Sequence, residues 1–357
     1  EICACLVGSE MCIRDRSQIA LAGDSVYVNT SSLRYRTSAQ IKDNNIAGNL
    51  SYGQKLERVG TSGQWTMILL NGKKYYVSSA YVTSKKPASA GAVQTTSQTA
   101  AGAQTSGGTA IALSSNYKYA NYSKINSGTA TLYRSTASNK KNKVVCVNAG
   151  HGTNGGGSVK TQCHPDGSAK VTGGTTGAGA TSAVAVSSGM TFADGTAESK
   201  VTLAMAKVLK TKLLNAGYDV LMIRESDDVQ LDNIARTVIA NNNADCHIAL
   251  HWDSTSSNKG AFFMSVPSNA TYRAMEPVAS HWKQHNQLGE SLISGLKSAG
   301  VKIYSKGSME MDLTQTSYST IPSVDIELGD KASDHSGATL ETLANGLLAG
   351  VNTFFGQ

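Results

Sequence analysis

Hydrophobic and polar positions form two different patterns along the chain, and the first covers residues 24–83. Short β-branched or alternating runs recur there, separated by turn signals such as Asn71-Gly72. Asn-Gly between two apolar runs is typical of a β-hairpin. This pattern predicts a small all-β unit. Its strands are expected near 26–28, 33–36, 55–59, 65–70 and 75–77.

From residue 143 onward, strand-like and helix-like segments alternate. Residues 198–215 carry apolar side chains at helical spacing and end at Ala216-Gly217, a helix stop signal. This alternation predicts an α/β fold with a mostly parallel sheet flanked by helices. Strands are expected at 144–147, 218–223, 246–253, 261–266, 301–304 and 322–329, and further helices at 231–239, 274–299 and 338–352.

The remaining segments have other compositions. Residues 84–115 are rich in Ser, Thr, Ala, Gly and Gln, which predicts a flexible linker, and 116–142 stay unassigned. Residues 1–23 hold an apolar stretch too short for a secretory signal and are interpreted as a truncated or non-native leader. The expected organisation is therefore 1–23 leader, 24–83 all-β unit, 84–142 linker and unassigned segment, and 143–357 α/β domain.

Charge is distributed unevenly along the chain, whose net charge is +7. Residues 1–142 carry 16 Lys and Arg against 6 Asp and Glu, whereas residues 143–357 carry 16 against 19. A basic N-terminal part favours an anionic partner. Nucleic acid and an anionic cell-wall polymer both meet this charge condition, so charge alone does not choose between them, although no arginine-rich helix or stacking-aromatic motif supports nucleic acid. No apolar run is long enough for a membrane-spanning helix.

Candidate catalytic residues lie at the ends of the predicted elements. His151 and His251 each follow an apolar strand-like run, and Glu198 begins the helical stretch 198–215. Open α/β sheets place their ligands at such strand ends. Two imidazoles and one carboxylate can bind zinc with one coordination position left for water, and Glu327, inside another strand-like run, can serve as the base.

Each of these residues also has a plainer interpretation, because a loop histidine or a helix-start carboxylate is common without a metal. The segment 153–196, rich in Gly, Ser, Thr and Ala, separates His151 from Glu198. It leaves Asp166 and Asp194 as alternatives to Glu198. Five other histidines are expected to lie outside the site, and Asp253 could orient the ring of His251. The five are His164, His247, His281, His285 and His335.

The six cysteines lack the paired spacing of a metal or redox motif. Cys146 and Cys246 lie inside apolar strand-like runs, which predicts buried, unreactive thiols rather than a disulfide framework. The other four are Cys3, Cys5, Cys12 and Cys163.

Several segments resemble known families. Four segments are similar to bacterial SH3-type domains, namely LRYR (33–36), GNLSYGQKLERV (48–59), GQWTMI (63–68) and NGKKYYVSSAYV (71–82). This resemblance implies a small barrel that binds cell-wall peptide or accompanies a wall enzyme, and a barrel without a ligand of its own is the alternative. The α/β part resembles the zinc-dependent N-acetylmuramoyl-L-alanine amidases of type 3. The matching segments are NAGHG (148–152), GYDVLMIRESD (217–227), LDNIARTVIANNNADCHIALHWD (231–253) and PSVDIELGD (322–330).

The amidase resemblance implies that His151, Glu198 and His251 bind one zinc ion per chain and that Glu327 is the catalytic glutamate. The family's loop between the first two positions is usually much shorter, so the segment 153–196 is interpreted as an insertion at the mouth of the site. It further implies hydrolysis of the amide between N-acetylmuramic acid and L-alanine of the peptidoglycan stem peptide. A zinc peptidase that cuts within the stem peptide and an inactive wall-binding protein are the alternatives. The expected protein is a monomer that is secreted or associated with the bacterial cell wall.

Overall fold

A computed structural model describes residues 24–28, 32–40, 45–51, 53–84 and 107–357. The chain divides into two compact units, Glu1–Thr99 and Ala100–Gln357. The predicted leader (1–23) and most of the predicted linker (85–106) lie outside the described residues. The same holds for Cys3, Cys5 and Cys12.

The first unit is all β, as predicted. Its strands form one antiparallel sheet in the order β3-β2-β6-β5-β4-β1-β7. Asn71 and Gly72 join the fifth and sixth strands with φ angles of 51° and 73°, the left-handed conformation that a tight hairpin requires. The strands are β1 Asp24–Val28, β2 Ser32–Arg36, β3 Ile46–Ser51, β4 Lys55–Ser62, β5 Trp65–Leu70, β6 Lys73–Ser78 and β7 Val82–Thr83.

The second unit places helices around an eight-stranded sheet with the order β16-β15-β17-β14-β10-β13-β9-β8. Its sheet strands are β8 Thr109–Ala112, β9 Thr129–Tyr133, β10 Val144–Ala149, β13 Asp219–Met222, β14 Cys246–Asp253, β15 Ala261–Ser265, β16 Ile303–Glu310 and β17 Ser323–Asp330. A separate hairpin consists of β11 Lys160–Gln162 and β12 Ser182–Val184. The helices are α1 Glu198–Asn215, α2 Asn233–Asn243, α3 Ala270–Ala274, α4 Val278–Ser298, α5 Thr314–Tyr318 and α6 Gly337–Phe355.

The prediction of a mostly parallel sheet was wrong, because the sheet is mixed. Four pairings are parallel (β10–β13, β10–β14, β14–β17 and β15–β16) and three are antiparallel (β9–β13, β8–β9 and β15–β17). Helical crossovers make the central strands β13, β10, β14 and β17 parallel, and β15 and β16 form a further parallel pair at one edge. The antiparallel pairings lie on either side of the central strands: β8 and β9 form a hairpin from the segment 109–133 beside β13, and β15 runs antiparallel to β17.

Both faces of the central strands are buried, which explains their nearly continuous apolar sequences. In β10, Val145 and Val147 pack with α1, α4 and α6 on one face, whereas Cys146 packs with α2 on the other. The strands β10, β14 and β17 are parallel neighbours, so their carboxyl ends lie at one edge of the sheet. That edge receives the polar side chains of the predicted site.

The three described cysteines, Cys146, Cys163 and Cys246, are free and buried, in agreement with the prediction of structural thiols. Burial raises the pKa of each, which keeps the thiols protonated. Among the residues that the structure describes, no helix combines the length and the apolar character needed to cross a membrane.

Candidate active site

Three side chains converge at the carboxyl edge of the sheet. His151 follows β10, His251 lies near the end of β14, and Glu198 is the first residue of α1. Glu198 Oε1 lies 2.8 Å from His151 Nε2 and 3.2 Å from His251 Nδ1, and the two ring nitrogens are 3.0 Å apart. Three potential ligand atoms thus form a small triangle, which we call the triad.

Two buried arginines shape the loop that carries His151, whose φ angle of 64° is unusual for a residue other than glycine. Arg236 donates to His151 O (2.7 Å) and Arg224 to Gly150 O (2.8 Å), and both also donate to Ala149 O. Burial lowers the pKa of Arg224 to about 10 and that of Arg236 to about 9, so both stay charged at neutral pH. Their hydrogen bonds to consecutive carbonyls stabilise the turn.

Backbone groups orient two members of the triad. His151 Nδ1 lies 2.8 Å from Ser187 O, so this nitrogen carries the proton and Nε2 directs its lone pair into the triangle. Glu198 accepts hydrogen bonds from Met190 N to Oε2 (2.9 Å) and from Trp252 N to Oε1 (3.0 Å). Two of these three backbone groups belong to the segment 153–196.

The electrostatics of the triad favour a cation. Burial would raise the pKa of Glu198, but its hydrogen bonds with the two histidines hold it well below the usual range. For His251 burial acts in the opposite direction and would lower the pKa, but the neighbouring carboxylates, Asp325 foremost, raise it to about 10. Donor atoms 2.8–3.2 Å apart approach the edge of about 3.3 Å of a tetrahedral zinc site. Two imidazole nitrogens and a carboxylate oxygen therefore fit a divalent metal ion, and these residues are the one such cluster found in the described part of the chain.

Glu327 lies on β17 directly beside His251 of β14 in the register of the sheet. Its side chain is only 9% exposed, and no described protein group bonds to its Oε2. Burial, with smaller contributions from nearby carboxylates, raises the pKa of Glu327 well above its usual value, whereas His251 lowers it. A carboxylate in this setting can exchange a proton with a small molecule beside the triad.

The triad and Glu327 line one cleft of about 460 Å³. Residues of the segment 153–196 form much of another wall of this cleft. The sequence predicts this segment to be an insertion, and we call it the insertion. Its Gly174 and Val186 line the cleft together with Met309, which lies in β16, and Met311, which follows that strand. The cleft is therefore lined by both polar and apolar side chains.

A buried carboxylate fastens the insertion to the unit. Asp312 accepts hydrogen bonds from Lys170 Nζ (2.8 Å), Val171 N (2.6 Å) and Thr172 Oγ1 (2.5 Å), and it lies 3.2 Å from His164 Nε2. Burial would raise the pKa of Asp312, but the donors His164, Lys170 and Thr172 hold it well below its usual range. The carboxylate is therefore ionised and pairs with the buried ammonium group of Lys170.

The structure separates the remaining candidates from the triad. Asp194 pairs with His335 at 3.3 Å, and Asp166 caps a turn through Ser168 N, so of the weighed carboxylates Glu198 is the one beside the histidines. The other four histidines, His164, His247, His281 and His285, also lie outside the triad.

Sequence reasoning missed one carboxylate near the triad. Asp253 does not orient His251, because its carboxylate contacts Lys259 and Thr255 instead. Asp325 lies at His251, with Oδ2 3.6 Å from Nε2. A second carboxylate inside the apolar run of β17, two residues before Glu327, was the available signal.

Comparison with known proteins identifies the family. The chain is similar to solved structures of the N-acetylmuramyl-L-alanine amidase Ami1 from Mycobacterium smegmatis (20% identity, 61% of this chain, 99% of that chain, TM-score 0.47) and from Mycobacterium abscessus (21%, 60%, 98%, 0.43). An amidase from Clostridium difficile 630 is similar at 16% identity (60%, 97%, 0.42). A search of curated proteins found no match. The type 3 family of N-acetylmuramoyl-L-alanine amidases matches residues 145–344, more than half of the chain. The chain belongs to the N-acetylmuramoyl-L-alanine amidase family.

Proposed function

We propose that this chain hydrolyses the amide between N-acetylmuramic acid and L-alanine of the stem peptide, with one zinc ion bound by His151, Glu198 and His251. The observation that carries the proposal is the convergence of these three side chains beside Glu327 in a single cleft. Nitrogen and carboxylate donors in a set of three are typical of catalytic zinc sites. Other divalent ions accept the same donors, so the identity of the metal is part of the test.

Hydrolysis forms a bond from a water oxygen to the carbonyl carbon and breaks the bond from that carbon to the amine nitrogen. Zinc, when bound, supplies a Lewis acid for the carbonyl and lowers the pKa of water to about 7. Glu327 accepts a proton from the water and returns it to the departing amine. Burial raises the pKa of Glu327 and opposes the ionised carboxylate that this role requires, whereas the charge of His251, its neighbour in the sheet, favours it.

The test combines metal content with product analysis. For Glu327→Gln we expect one zinc per chain and a kcat/KM reduced by about 10²- to 10⁴-fold on purified muropeptides, because proton transfer is lost. For His251→Ala we expect loss of both zinc and activity, and His281→Ala, a histidine on α4 outside the triad, should leave both unchanged.

Mass spectrometry of the products distinguishes the candidate reactions. An amidase releases intact stem peptides with an N-terminal alanine, whereas a peptidase that cuts within the stem releases shorter fragments. Full activity of the His251→Ala variant would refute the proposed site, and fragments cut within the stem would refute the proposed bond.

We further propose that the chain is a secreted, monomeric enzyme and that its first unit is an SH3-like domain that binds the cell wall. Its all-β sheet and its basic charge support this assignment, because residues 1–99 carry 11 Lys and Arg against 6 Asp and Glu. Lys73 and Lys74 are exposed on the hairpin strand β6, so replacing both with Glu should weaken sedimentation of the full chain with purified wall. Raising NaCl from about 50 to 500 mM should do the same for the unmodified chain. Equal sedimentation under all these conditions would contradict the proposal. The control is a chain with Lys207→Glu and Lys306→Glu in the second unit, which should sediment like the unmodified chain.

A further inference from the structure

Asp325 lies on the same face of β17 as Glu327, because side chains two residues apart in a strand point the same way. Both side chains line the cleft. The Asp325 side chain is 17% exposed, and its Oδ2 atom lies 3.6 Å from His251 Nε2. Its Oδ1 atom is buried and bonds to no protein group in the described part of the chain.

The direction of the His251 ring defines what a neighbouring group must do. Its Nδ1 atom belongs to the triad, 3.2 Å from Glu198 Oε1, so the proton of the neutral ring must lie on Nε2 when Nδ1 binds a metal. A carboxylate beside Nε2 stabilises that tautomer. The separation of 3.6 Å exceeds a normal hydrogen bond, but it is well within the range of charge attraction.

The other two members of the triad have orienting partners of their own, namely Ser187 O for His151 and the amides of Met190 and Trp252 for Glu198. His251 has no backbone acceptor in this role among the described residues. Asp325 completes the set, because it is the carboxylate that the structure places at Nε2.

We propose that Asp325 is a positioning residue that fixes the ring and the tautomer of His251 for metal binding. This inference rests on the proposed zinc site and adds a residue to it. Outer partners of metal-bound histidines typically change metal affinity by about 10- to 100-fold when they are replaced.

The first experiment measures zinc affinity of the full chain by competition with a chelator at neutral pH. The variant Asp325→Asn preserves the size of the side chain and removes its charge, and we expect zinc to bind about 10- to 100-fold more weakly. Asp253→Asn is the matched control, because Asp253 is 18% exposed, lies two residues from His251 and pairs with Lys259 instead. Its affinity should stay within about threefold of the unmodified chain, well short of the effect expected for an outer partner.

A second measurement separates positioning from a general loss of structure. In the zinc-loaded chain, the nuclear magnetic resonance signal of the His251 Nε2–H proton should move upfield in Asp325→Asn. The His151 Nδ1–H signal, whose acceptor is Ser187 O, should remain in place, and a misfolded variant would change both.

The outcomes are distinguishable. Zinc affinity of Asp325→Asn within about threefold of the unmodified chain, or an unmoved His251 signal, would overturn the role of Asp325 and leave the zinc site intact. An unmodified chain that binds no zinc would overturn the proposed metal site together with this inference. Weaker zinc binding with a selective change at His251 would support it.

Discussion

Removal of the Asp312 carboxylate should detach the insertion without unfolding the sheet. Asp312 receives hydrogen bonds from three successive residues of the insertion, Lys170, Val171 and Thr172. The Lys170 ammonium is only 8% exposed and has Asp312 as its ionic partner. In Asp312→Ala, therefore, the buried ammonium group loses its ionic partner and keeps only the hydrogen bond to the main-chain carbonyl of residue 312. Val171 N and Thr172 Oγ1 lose the carboxylate as their acceptor at the same time.

The magnitude follows from the burial. Breaking a buried ion pair by removing one partner costs about 3–5 kcal/mol, because the other charge stays behind without compensation. The cost falls on the docked state of the insertion, since the donors lie on that segment. At 1.36 kcal/mol per factor of ten, the opened form becomes roughly 10²- to 10⁴-fold more populated.

Hydrogen exchange followed by mass spectrometry measures this population directly. Peptides that contain Cys163 and Lys170, whose amides donate to Thr181 O and Ala180 O, should exchange faster by that factor, whereas peptides from β14 should not change. Asp166→Asn serves as the control, because Asp166 is an exposed residue of the same insertion. If the exchange of the insertion in Asp312→Ala matched that of the unmodified chain, the assigned anchoring role would be refuted.

Two further predictions concern single side chains. In Gly150→Ala, the new Cβ atom would lie 2.2 Å from Cε1 of His251 and displace the ring. Zinc affinity, measured by chelator competition, should therefore fall at least about tenfold. The control Gly157→Ala, which has open space around its Cβ atom, should have the zinc affinity of the unmodified chain. Burial, aided by the charge of Arg236, lowers the pKa of His247 to about 3. Above pH 6.5 the ring is neutral in both the folded and the unfolded chain, so its burial carries no charge penalty. As the pH falls from 6.5 toward 3, only the unfolded chain binds the proton, and the free energy of unfolding decreases. Lowering the pH from 7 to 5 should decrease the free energy of unfolding, measured with urea, and the decrease should be about 2 kcal/mol smaller in His247→Leu than in the unmodified chain. Equal decreases would contradict the lowered pKa of His247.

The sequence predicted the helices and central strands of the second unit well, because these elements bury long apolar runs or stripes. The helix expected at 198–215 is Glu198–Asn215, and the strand expected at 246–253 is Cys246–Asp253. Strand direction was predicted less well, since the side-chain pattern of a strand is the same in parallel and antiparallel pairs. The edge strands β8 and β9 are short and only partly buried, so their local pattern was weak.

The structure brings together the three residues that strand and helix ends suggested as metal ligands, and it places Glu327 beside them. The contacts that orient them were less accessible to sequence reasoning. Ser187 O and Met190 N are backbone groups, which every residue carries, so no side chain signals their role. Asp325 did carry a side-chain signal, but only the register of β17 with β14 shows that it reaches His251.

The position of Ser187 and Met190 couples the insertion to the proposed metal site thermodynamically. Both groups belong to the insertion, and they orient His151 and Glu198 only while that segment is docked. Metal binding and docking must therefore favour each other by the same factor, since such linkage is reciprocal. Any substrate strand that lifts the insertion would weaken the hold on the metal, whereas one that binds with the insertion in place would strengthen it. The insertion contributes no metal ligand, yet through its docking it can influence which wall substrates are hydrolysed at the proposed metal site.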